Sequence, residues 1–197
     1  FIDFTNEVEE TISNQQFDSI DSLMETGLEE KRKTLVQSIG ENIQVRKIET
    51  LSFNSANVGL YVHSDSKLAA MAVLEGGDET LAKDIAMHIS ATNPLCLTSE
   101  DVDKEVYERE RAIYVSQAEE SGKPQEIMDK IIDGKMKRFL SEISLVSQSF
   151  IKDPDKTIDQ LLNENNAKIV SFIRLKVGEG IEVESKNFAD EVAEQLK

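Results

Sequence analysis

Between residues 99 and 144 the chain carries two helical patterns of similar length separated by Ser121-Gly122-Lys123-Pro124, and nothing else in the sequence restricts the fold as tightly. A glycine here suits a helix C-cap, and a proline suits the first turn of the helix that follows. On the upstream side, Thr98 with Asp101 three residues on resembles a capping box, and the charged helix it would open has only Val102, Val106 and Ile113 as a thin apolar stripe. On the downstream side, Ile127, Met128, Ile131, Ile132, Met136, Phe139, Leu140 and Ile143 mark a second helical face. A thin stripe satisfies one partner helix rather than a core. Residues 99–144 are therefore predicted to form an inserted antiparallel helical coiled-coil hairpin that projects from the body, and its outer faces leave room for a homodimer.

The flanks read as mixed structure. VGLYVH at 58–63 and LAAMAVLEG at 68–76 are strand candidates joined by the polar turn Ser64-Asp65-Ser66. Gly76-Gly77 ends the second strand, Asp78 caps, and ETLAKDIAMHISA places Leu81, Ile85, Ala86 and Ile89 on one helical face. Beyond the hairpin, TIDQLLNEN reads as a short helix, AKIVSFIRLKV as a strand and NFADEVAEQL as a terminal helix. If that late strand joins the 58–76 pair, the hairpin is an insertion into one α+β subdomain made of residues 54–98 and 145–197.

Residues 1–53 form the other subdomain of this reading. Phe1, Phe4, Val8 and Ile12 are at helical spacing, and a start inside an amphipathic helix suggests a fragment whose upstream part is missing. After a polar stretch, Leu28, Leu35, Val36 and Ile39 share a second helical face that stops at Gly40. IQVRKIETLSF at 43–53 alternates and is expected to be a strand of a meander with 58–63 and 68–76. The predicted fold class is α+β: two small subdomains with antiparallel sheets and packed helices, plus the hairpin.

The chemistry the side chains offer is sparse. An excess of 38 acidic over 22 basic residues gives a formal charge of −16, which repels nucleic-acid backbones and anionic membrane surfaces. A single cysteine, Cys96, has no intramolecular disulfide partner, and no stretch reaches the roughly 20 apolar residues of a membrane span, so a cytoplasmic setting is expected. His63 and His88 are the only histidines and neither has metal-ligand spacing. His88, within an amphipathic pattern, reads as a partly buried packing residue, whereas His63 ends a strand beside a turn and is expected to be exposed and available for interaction. Cys96 lacks a basic neighbour that would favour thiolate. Glu75 to Asp78 sits where a phosphate loop would but lacks its Gly-Lys-Ser/Thr residues, and GEG at 178–180 is only a fragment of a dinucleotide fingerprint. No catalytic residue, cofactor or metal is assigned.

Four segments, taken in order, carry a resemblance: IGENIQVRKI (39–48), KDIAMHISATNP (83–94), SGKPQEIMDKIIDGKMKRFLSEISLVSQSFI (121–151) and FIRLKVGEGIE (172–182). Together they resemble elongation factor Ts over essentially the whole chain. The resemblance implies a non-enzymatic guanine-nucleotide exchange factor for the GTPase elongation factor Tu. It also implies that Ile39 and Gly40 pack against the nucleotide-binding domain of that GTPase, and that His63 reaches a different region of it. The family's N-terminal ubiquitin-associated-like domain and TDFV motif have no match here. Asp3-Phe4 falls in the helix that normally follows TDFV, so the nucleotide-site role of the motif is not transferred to Phe4, and the first subdomain is expected to be incomplete. The alternative is a scaffold or self-association module built on the hairpin.

Overall fold

The computed structural model describes residues 1–51, 53–54 and 56–181. The chain divides into two compact units, Phe1–Ser52 and the remainder from Phe53. The expected terminal helix at NFADEVAEQL lies outside the described residues.

The first unit is built from α1 (Ile2–Asn14), the short α2 (Ile20–Leu23), a wide turn Met24–Leu28 kinked at Gly27, and α3 (Glu29–Ile39). The stretch expected to be merely polar thus hides a helical turn. Ser19 supplies the reason, since its side chain accepts the Ser22 N–H and caps α2. The core is small: Phe4, Leu23 and Leu28 are buried, with Val8, Phe17, Met24, Leu35, Val45 and Ile48 packed around them. The strand expected at 43–53 does not form, and no described residue of that segment joins a β-ladder. Its apolar pattern explains the failure. Val45 and Ile48, three apart, both reach the core, whereas a strand would turn every second residue to one face. No other extended segment of this unit is present to pair with it among the described residues.

In the second unit, β1 (Asn57–Val62), β2 (Leu68–Glu75) and β5 (Lys168–Lys176) make an antiparallel sheet in the order β1-β2-β5. The third strand of the meander is therefore β5, not 43–53. Leu60 lies opposite Met71, and Met71 opposite Ile173. One sheet face packs on α4 (Glu79–Thr92), whose N-cap Asp78 accepts the Leu81 N–H at 2.8 Å. The contact is made by small residues: Ala70, Ala72, Ala82 and Ala86 are all buried. At Gly59 the two backbones nearly touch, because a Cβ placed there would lie 2.0 Å from the carbonyl carbon of Ala82 and 2.1 Å from its oxygen. Ile85, Ile89, Leu145, Ile158 and Ile169 complete the core around this approach.

Between α4 and β5 the chain runs out and back through α5 (Lys104–Glu120) and α6 (Gln125–Ile143). Thr98 and Asp101 do not open the helix. The Thr98 N–H and hydroxyl both donate to the Asp101 carboxylate, at 2.9 and 2.7 Å, while the Asp101 N–H goes to the Thr98 carbonyl. Because the Asp101 N–H goes to the Thr98 carbonyl and not to its hydroxyl, no reciprocal box exists, and Asp103 caps α5 instead through the Glu105 and Val106 N–H groups. The helix contact also differs from the expected stripe. Ala118, Ile132 and Met136 are buried between the helices, joined by Tyr107, Tyr114, Val115, Met128 and Phe139, whereas Ile113 and Ile127 are exposed. On α5 the seam is carried by Tyr107 and Tyr114, one heptad apart, where Val102, Val106 and Ile113 were expected to form it. Lys135 reinforces it, with its ammonium 5.1 Å from the centre of the Tyr114 ring and donating to Gln117 at 2.6 Å.

The two ends of this excursion are pinned together. The Leu95 N–H donates to the Ile143 carbonyl at 2.8 Å, Leu145 to Cys96 at 3.0 Å and Val146 to Leu97 at 3.1 Å. After a tight helical turn at Leu145–Ser147, two short strands, β3 (Ser149–Phe150) and β4 (Asp153–Thr157), form a ribbon that the residue pattern does not announce. Helix α7 (Ile158–Glu164) then leads to β5, started by a reciprocal capping box between Thr157 and Gln160.

Two glycines separate crowding from propensity. Gly59→Ala, forced against backbone, should destabilise the protein by about 3 kcal/mol or prevent folding, whereas Gly134→Ala, inside α6 with nothing within 4 Å, should stabilise it by about 0.5–1 kcal/mol. Urea denaturation of the two variants checks both signs.

Candidate functional site

Ile39 is the last residue of α3, and Gly40 follows as the C-cap with φ 76° and ψ 11°. The left-handed cap turns the Gly40 N–H back onto the Val36 carbonyl at 2.8 Å, which ends the helix without leaving that donor unpaired. Ile39 lies on the same stripe as Leu28 and Leu35 but beyond the reach of the small core, and 46% of it is exposed. No heavy atom lies within 4 Å of where a Gly40 side chain would begin. The corner thus presents a branched apolar side chain beside open backbone.

His63, in the second unit, follows β1 directly. Its N–H donates to the Leu68 carbonyl and its carbonyl accepts from Ser66, both at 2.8 Å, so the backbone is held by the β1–β2 turn. The imidazole is half-exposed, and its Nδ1 lies 3.1 Å from Asp65 Oδ1. That oxygen also accepts the Lys67 N–H at 2.9 Å, and these bonds, the one from Lys67 foremost, hold the Asp65 carboxyl below its ordinary range. An ionised carboxylate only accepts, so Nδ1 carries the proton and Nε2 is left without a partner among the described residues. On the strand leading into His63, Leu60 and Val62 are 54% and 53% exposed. The apolar residues of β1 look like sheet core in the sequence, but β1 is an edge strand and these two face away from α4. A period-2 pattern identifies the face of a strand without showing whether anything covers it.

The other candidate residues have structural duties. His88 is completely buried rather than partly so, and Cys96 is buried beside the Ser144 hydroxyl at 3.6 Å. The turn at Gly76-Gly77 is occupied by Asn57, whose amide donates to both carbonyls at 3.1 Å. Gly178 and Gly180 lie in a turn after β5. Among the described residues, no group of three or more His, Cys, Asp or Glu could hold a metal ion, and no helix is long and apolar enough to cross a membrane.

Residues 1–179 match the family model described as elongation factor Ts. The chain belongs to the elongation factor Ts family. It is 49% identical over 197 residues to elongation factor Ts of Hahella chejuensis, covering all of this chain and 68% of that protein. The factor of Ruthia magnifica is 47% identical over 190 residues, covering 96% of this chain and 62% of the relative, and that of Hydrogenovibrio crunogenus 46% over 166 residues, covering 84% and 56%. The chain therefore spans between about half and two thirds of the length of these elongation factor Ts proteins. Membership in the family makes this a protein of translation elongation.

The Gly40 corner can be tested without a partner. Gly40→Ala should cost about 1 kcal/mol from left-handed strain alone, and Gly40→Asn distinctly less, because asparagine tolerates that region. Equal losses in thermal denaturation would show that crowding, not backbone conformation, governs the site.

Proposed function

We propose that this chain is a guanine-nucleotide exchange factor that binds elongation factor Tu and promotes GDP release in the cytoplasm, acting through protein contact without covalent chemistry. The observation that carries the reading is the exposed Ile39 beside left-handed Gly40 in a chain of the elongation factor Ts family. An apolar side chain held at a helix end on a folded unit loses little freedom when it is buried by a partner, which suits it to anchor an interface. His63 would contribute its unpartnered Nε2, with Leu60 and Val62 beside it as further apolar contacts. The proposed organisation is a first core subdomain at 1–53, a second at 54–98 and 145–197, and an inserted coiled-coil hairpin at 99–144.

Exchange requires no proton transfer and no nucleophile. A factor that binds the nucleotide-free GTPase more tightly than the GDP-bound form must, by linkage, weaken GDP binding by the same factor. The work of this chain is therefore differential binding. Its charge of −16 also disfavours nucleic acid as the direct partner.

A second reading, a scaffold or self-association module, is favoured by Ile113 and Ile127, which the hairpin leaves 44% and 46% exposed. Stopped-flow release of fluorescent GDP from elongation factor Tu separates the two. Saturable acceleration by this chain supports exchange. No acceleration, under conditions where a full-length member of the family is active, favours the scaffold. In the same assay format, Ile39→Ala should weaken binding by about 1–2 kcal/mol with an unchanged circular dichroism spectrum, and an unaltered affinity would remove Ile39 from the interface.

A further inference from the structure

His88 is buried in α4, yet it is the hub of a polar network that joins three distant parts of the second unit. Its Nε2 lies 2.9 Å from Oε1 of Gln148, sixty residues later in the chain, and its Nδ1 receives the Ile151 N–H at 3.3 Å. Gln148 in turn donates its Nε2 to the Glu142 carbonyl in the last turn of α6, and its own carbonyl accepts the Ile158 N–H at 3.0 Å. Two independent constraints fix the protonation state. The Gln148 amide must direct its nitrogen to a backbone carbonyl, so its oxygen faces His88 and Nε2 is the donor; a backbone N–H points at Nδ1, so Nδ1 is the acceptor. Only the neutral Nε2–H imidazole satisfies both.

Protonation would place an N–H at Nδ1 facing the N–H of Ile151, two donors with no acceptor between them. It would also put a charge into the core. The charged side chains of the surrounding elements are committed elsewhere: Asp84 of α4 to Lys152 at 2.6 Å, Glu142 of α6 to Arg138 at 2.7 Å, and Arg174 of β5 to Glu179 at 3.1 Å and to the Ser90 carbonyl at 3.3 Å. Lys156 of β4 pairs with Glu164 of α7 and feels Asp153, while Glu79, Lys83, Asp155 and Asp159 are exposed. No carboxylate pairs with His88 among the described residues.

We infer that His88 is a protonation-sensitive latch that fastens the return of the α5–α6 hairpin, through Gln148 and Ile151, to the helix packed on the sheet. Burial lowers the affinity of His88 for a proton below that of an ordinary imidazole, opposed by the bond to Gln148. The neutral form is thus favoured by folding. The stability it contributes is complete above the ordinary imidazole range and declines as pH falls below it. Within the segment from Leu145 to Ile158, the contacts weakened are those of Gln148 and Ile151 with the ring, while the Thr92 hydroxyl on Gln148 and the Lys152–Asp84 pair still hold the segment to α4, so the opening is local.

Amide hydrogen exchange by NMR on the whole chain tests this at pH 7.5 and at pH 5, with intrinsic rates removed. Protection of the Ile151 and Ile158 amides should fall about tenfold or more relative to amides of β2, the scale on which loss of a buried hydrogen bond opens a local segment. His88→Gln, which keeps a donor and an acceptor but cannot titrate in this range, should abolish that relative loss, while His63→Gln should keep it. A relative loss of equal size in His88→Gln, or none in the wild-type protein, overturns the latch. Should His88→Gln fail to fold, imidazole nitrogen shifts of the wild-type protein decide instead. The Ile151 amide shift must follow the His88 titration, and a titration that leaves it unmoved contradicts the inference.

Discussion

The close approach of α4 to the β1-β2-β5 sheet is the constraint on which the second unit rests. Gly59 and Ala82 meet backbone to backbone, and alanines at 70, 72 and 86 keep the rest of the interface equally thin. Small residues allow the large ones, Ile85, Ile89, Leu145 and Ile158, to close over the edges with no exposed surface. A helix seated this deeply fixes the loops at both ends of the sheet. One of them, the β1–β2 turn, holds His63 through backbone bonds on either side.

The same seating explains how a long excursion can leave the unit and return in register. Backbone bonds from Leu95, Leu145 and Val146 close the neck of the α5–α6 hairpin, and the His88–Gln148 bond ties that neck to α4 from inside. Polar groups buried in this way are fully paired: no buried side-chain nitrogen or oxygen lacks a partner among the described residues. A satisfied polar hub specifies one arrangement where an apolar contact would tolerate several. In the first unit, by contrast, three fully or nearly buried residues carry the core, and the Lys31–Glu7 ion pair at 2.8 Å links α3 to α1. Being 57% and 41% exposed, that pair adds little.

Much of this was legible in residue patterns wherever the signal was local. Gly40 as a helix stop, Asp78 as a cap, and the amphipathic faces of α1, α4 and α6 all follow from spacing of three and four. Most of the failures share a cause, which is that pairing partners are not local. The 43–53 segment alternates at first, but a strand exists only with a neighbour, and Ile48 breaks the period. Thr98 and Asp101 have the spacing of a capping box, yet the Asp101 N–H takes the Thr98 carbonyl in a turn and the helix starts only after Asp103. The tyrosine seam of α5 was hidden because Tyr107 and Tyr114 look polar until their rings are packed. Neither the β3–β4 ribbon nor the meeting of His88 with Gln148 leaves a periodic trace. At the candidate site, the exposure of His63 and the left-handed turn after Ile39 could be anticipated, while Leu60 and Val62 required knowing that no described residue covers that side of β1.

If the chain acts by differential binding, its affinity for the GTPase must depend on the nucleotide state. Calorimetric titration of this chain into elongation factor Tu, once nucleotide-free and once saturated with GDP, measures that dependence directly. Tighter binding to the empty form, by about 1–3 kcal/mol or more, is the result expected of an exchange factor. Equal affinities would contradict it, since a ligand that does not distinguish the two states cannot shift the equilibrium between them.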